Sequence, residues 1–75
     1  MQPERLVTMV NEIAAFFHGT GEGQAAESVA SHLRRFWDPR MRRQIVSHLN
    51  AGGEGLTPIA RAGVELLVGE SRRES

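Results

Sequence analysis

Asp38-Pro39 is the sharpest break in this chain and does most to limit what it can fold into. Proline disfavours helical geometry in the residue before it and suits the first turn of a helix that follows it. One helix must therefore end near Trp37 and another begin at Pro39, with Asp38 as its N-cap. Position 41 is Met, not Glu or Gln, so the capping box is incomplete. Thr57-Pro58 repeats the cap-plus-proline device later in the chain and predicts a further helix start.

The stretches between these breaks carry helical periodicity. From Pro3 to Phe17 the apolar residues Leu6, Met9, Val10, Ile13, Phe16 and Phe17 share one stripe, and Pro3 suits the first turn. Gly19, Gly21 and Gly23 then interrupt the pattern. A second helix is predicted from about Gln24 to Trp37, with Ala26, Val29, Ala30, Leu33, Phe36 and Trp37 on its stripe. Its alanine-rich start admits a close helix neighbour, while the aromatics at the ends of both helices suggest a shared cluster. The third runs from Pro39 to about Asn50 on Met41, Ile45 and Leu49, and Gly52-Gly53 stops it. His48 falls near its C-terminus, where an imidazolium would meet the negative end of the helix dipole.

A fourth helix is predicted from Pro58 to Val68, with Ile59, Ala60, Gly63, Leu66 and Leu67 facing the core. Val64 and Val68 widen that band beyond what a small bundle uses, which points to a second packing surface. Gly69 is expected to end the helix. No segment alternates with the two-residue period of a strand. The expected architecture is all-α: a compact small domain of about four short helices joined by Gly-rich loops, spanning residues 1–69, with a frayed polar tail at 70–75.

Composition excludes several chemistries. With no cysteine the chain has no disulfide, thiolate metal ligand, iron–sulfur ligand or thiol nucleophile. His18, His32 and His48 lack the spacing of a metal-ligand pair, and none of the serines has a nucleophile-elbow context. The loop at 19–23 lacks the Lys-Ser/Thr of a phosphate-binding loop and follows no strand. No catalytic, cofactor-binding or metal-binding residue is therefore expected. The polar start and the absence of a long apolar run predict a soluble cytoplasmic protein without a membrane segment.

What remains is a charge asymmetry. The net charge is zero, yet Arg34, Arg35, Arg40, Arg42 and Arg43 crowd ten residues around one acid, Asp38. All nine basic residues are arginine, the side chain suited to bidentate pairing with carboxylate or phosphate. A codon bias would give the same composition. Arg42 sits at the edge of the apolar stripe and needs a partner, for which Asp38 offers a carboxylate and Trp37 a ring face. Trp37 is open between two roles, core residue and interface anchor. The alternative function is a small helical nucleic-acid-binding or regulatory domain using the arginine cluster. The neutral whole-chain charge and the placement of the arginines around a bend argue against nucleic acid.

The run His32-Leu33-Arg34-Arg35-Phe36-Trp37-Asp38-Pro39-Arg40-Met41-Arg42 resembles the signature of the delta subunit of NAD-dependent formate dehydrogenases. The opening helix from Arg5 to Phe17 is similar to that of the family, as are His48-Leu49 and Ala51-Gly52-Gly53-Glu54-Gly55-Leu56-Thr57-Pro58. The resemblance implies a small accessory subunit of a cytosolic molybdenum- or tungsten-containing complex that oxidises formate to carbon dioxide and reduces NAD. It also implies that the metal-pterin group, the iron–sulfur clusters and FMN reside in the larger subunits, which are the expected partners. Under this reading Arg34, Arg35, Phe36, Trp37, Arg40 and Arg42 form or buttress the docking surface, with Val64 and Val68 the next candidates. Asp38, Pro39, Thr57 and Pro58 act as structural caps. Self-association of the isolated subunit stays open.

Overall fold

A computed structural model of the chain describes the backbone of residues 2–74 and the side chains of residues 2–69. Four helices account for nearly all of it: α1 (Pro3–Phe16), α2 (Glu22–Phe36), α3 (Pro39–Asn50) and α4 (Pro58–Glu74), with no strand among the described residues. The all-α expectation holds. None of these helices is long and apolar enough to cross a membrane.

Two boundaries differ from expectation by more than one residue. Helix α2 starts at Glu22 because Gly21, with φ +95°, turns the chain and its carbonyl accepts the Ala25 N–H at 2.8 Å, while Glu22 puts a carboxylate in the first turn. Helix α4 does not stop at Gly69. That residue stays helical instead of taking the left-handed conformation of a terminal glycine, and the helix continues to Glu74. A lone glycine inside a helix costs only about 1 kcal/mol relative to alanine, too little to end one. The side chains of the expected tail at 70–75 lie outside the described residues.

All four helices feed one core, in which Leu6, Val10, Val29, Leu33, Ile45 and Val64 are fully buried and Trp37 is 5% exposed. Its tightest seam is between α2 and α4, the most extensively packed pair. There the alanine-rich start of α2 meets Gly63: a Cβ at Gly63 would lie 2.5 Å from Val29 Cγ1 and 3.3 Å from the Ala26 carbonyl oxygen. This seam fixes the rotation of α4, so that Ala60, Gly63, Val64 and Leu67 face inward while Leu66 is exposed and Val68 half-buried. The extra apolar edge inferred at Val64 and Val68 is thus corrected: Val64 is at the centre of the buried stripe, and Leu66 is the residue turned out.

The expected shared aromatic cluster is reduced to one ring from each helix end, Phe17 and Trp37, in the common core. Phe16 is 88% exposed and Phe36 70% exposed, whereas Phe17 packs against the core. At each helix end the last helical aromatic, Phe16 or Phe36, is turned out, and the residue that closes the helix, Phe17 or Trp37, is the one turned in.

Loop geometry is fixed from outside the loops. Asn11 on α1 reaches the connection between α3 and α4, its Nδ2 donating to the Gly55 carbonyl and its Oδ1 accepting the Thr57 N–H, both at 3.0 Å. Helix α3 ends as a Schellman motif, with the Gly53 N–H donating to the His48 carbonyl at 2.9 Å and the Gly52 N–H to Leu49 at 3.0 Å. The His48 ring continues this closure: Nε2 lies 2.8 Å from the Glu54 carbonyl and, since a carbonyl only accepts, carries the proton.

Candidate docking surface

The arginine-rich turn is built in two shells. Trp37 closes α2 in extended conformation, with its N–H donating to the Leu33 carbonyl at 3.1 Å and its indole in the core. That settles the competition over this residue in favour of packing. Asp38, also extended, caps α3 through Oδ1, which accepts the Met41 N–H at 2.9 Å. Pro39 follows as the first helical residue, where its missing N–H costs nothing.

Arg42 completes the inner shell, with a different partner from those expected. Its Nη1 donates to the Arg34 carbonyl at 2.9 Å and the Trp37 carbonyl at 3.1 Å. The last carbonyls of a helix lack partners within it and carry the negative end of its dipole, which makes them a better target than a carboxylate already capping the next helix. Arg42 therefore ties the end of α2 to the first turn of α3.

A second corner uses the same parts. Arg61, three residues after Pro58, donates through Nη2 to the Gly52 carbonyl at 2.8 Å and the Gly53 carbonyl at 3.2 Å. Both corners follow one pattern: cap position, proline, two residues, arginine, the arginine reaching back to carbonyls at or just after the preceding helix end. The repetition extends beyond the cap-plus-proline device, and the matched spacing of Arg42 and Arg61 was the signal for it. At the second corner the capping residue Thr57 is held through its main chain, by Asn11.

The outer shell is basic and aromatic. Arg34, Arg35, Arg40 and Arg43 are exposed, as is Phe36. The His32 ring lies 4.7 Å from that of Phe36 at a 44° tilt, one helical turn away. Of the proposed docking residues, then, Arg34, Arg35, Phe36 and Arg40 share an accessible corner, Trp37 and Arg42 support it from within, and Val64 is too deeply buried to reach a partner. No three His, Asp or Glu side chains among the described residues are grouped to hold a metal ion.

Fold and surface together define a small four-helix protein whose distinctive chemistry is a rigid corner bearing arginines and an exposed phenylalanine. The family model described as NADH-dependent formate dehydrogenase delta subunit FdsD matches residues 5–64, and the chain belongs to that family. The matched span contains α1 from Arg5 onward, all of α2 and α3, both arginine corners, and α4 as far as Val64. No curated protein and no solved structure matches the chain.

Proposed function

We propose that this chain is a non-catalytic accessory subunit of a cytoplasmic NADH-dependent formate dehydrogenase, supporting the assembly, stability or activity of the larger subunits that oxidise formate to carbon dioxide. The observation that carries this reading is the family match over residues 5–64. The chemistry of the chain supports it: with no cysteine it supplies no thiolate to a cluster or metal, and its exposed residue types are those of binding hot spots, Arg with an aromatic. The metal-pterin, iron–sulfur and flavin groups belong on this reading to the partner subunits. The surface that meets those subunits is the corner formed by Arg34, Arg35, Phe36 and Arg40, which Trp37, Asp38, Pro39 and Arg42 hold in shape.

The test is to produce the larger subunits with and without this chain and to measure the yield of assembled complex and its formate-dependent NAD reduction. Omission is expected to lower one or both, and the purified chain alone is expected to show no turnover. Full assembly and activity without the chain would refute the accessory role, and formate oxidation by the chain alone would refute its non-catalytic nature.

A further inference from the structure

Phe16, Phe36 and Leu66 are the large apolar side chains exposed among the described residues. Phe36 and Leu66 line the same groove, between α2 and α4, and Phe17 lines it with them. His32 restricts the Phe36 ring from one side, so the groove offers a positioned aromatic face.

The charges in this groove are of both signs and balanced, with Arg34 and Arg35 on α2 against carboxylates from Glu27 on α2 and Glu65 on α4. A nucleic acid laid here would bring phosphates against two carboxylates, which disfavours a polyanion at short range. A polypeptide carrying both signs matches it. The trough between two packed helices also suits a third, which would present apolar residues at i, i+3 or i+4, and i+7. The groove is low at Gly69 of α4: among the described residues nothing lies within 4 Å of where its Cβ would be.

We propose that this groove receives an amphipathic helix of a larger formate dehydrogenase subunit. Its apolar row lies on Phe36 and Leu66, a carboxylate meets Arg35, and a cationic side chain meets Glu65. This rests on the accessory-subunit reading and adds to it the chemistry of the segment that docks.

The test places a photo-cross-linking residue, Phe36→p-benzoylphenylalanine, in the chain co-produced with the larger subunits, and identifies the captured peptide by mass spectrometry. The expected product is a larger-subunit peptide with helically spaced apolar residues and charges of both signs. Gly69→Trp, which fills that low point without meeting any described neighbour at its Cβ, is expected to abolish the cross-link while leaving the circular dichroism unchanged. Capture of a second copy of this chain, of nucleic acid, or of a peptide without that pattern would overturn the proposal, as would a cross-link that survives Gly69→Trp. Should the unsubstituted chain fail to co-purify with the larger subunits, the accessory-subunit reading itself has failed. Co-purification with no cross-link at Phe36 defeats the groove assignment alone.

Discussion

Phe36 and Trp37 are adjacent in sequence, yet one is 70% exposed and the other 5%. Both lie on the apolar side of the α2 pattern, and periodicity alone does not choose between them. The corner after α2 decides it: Trp37 is the extended residue that turns the chain toward the Asp38 cap, and that turn swings the indole into the core. Trp37→Ala should therefore cost about 3–5 kcal/mol, the usual range for emptying a buried aromatic site. This approaches the whole stability of a domain this small. Phe36→Ala should change stability by less than about 1 kcal/mol, its losses being confined to the His32 contact. Denaturant unfolding of the two variants checks the pair, and comparable destabilisation would show that Phe36 is packed as well.

Helix ends, like the corner residues, depend on partners from outside their own element. Arg42→Met should lower stability by about 1–3 kcal/mol, since it leaves two carbonyls at the end of α2 without their charged donor. Arg61→Met should do the same at the end of α3. Thermal melts would read both, and unchanged melting temperatures would mean that water replaces these arginines without loss. Helix α4 allows a contrast between two glycines. Gly63→Ala should destabilise by about 1–3 kcal/mol through overlap with Val29. Gly69→Ala should stabilise by about 0.5–1 kcal/mol, because its Cβ meets none of the described residues and the helix gains propensity. The starts of α3 and α4 were legible in the sequence because cap-plus-proline pairs act locally. The rotation of α4 was not, since it depends on how closely Gly63 approaches another helix. The tie made by Asn11 was hidden for a similar reason: a polar residue on the outer side of a wheel gives no sign of a loop more than forty residues away.

At the scale of the whole molecule, helix content and an approximate core followed from periodicity, while the family came from a particular run of residues that no physical rule selects. The structure divides that run into supports and contacts. Buried Trp37, the Asp38 cap and the Arg42 tie make the corner rigid, and a rigid surface loses less conformational entropy on binding than a mobile one. The measurement that tests this division most directly is the affinity of the purified chain for the larger formate dehydrogenase subunits lacking it, by surface-based binding, for the unsubstituted chain and for an Arg35→Glu/Phe36→Ala variant. The unsubstituted chain should bind, and the variant, with unchanged helix content and melting temperature, should lose roughly tenfold or more in affinity. Equal binding by the folded variant would contradict that division and place the docking surface elsewhere on the molecule.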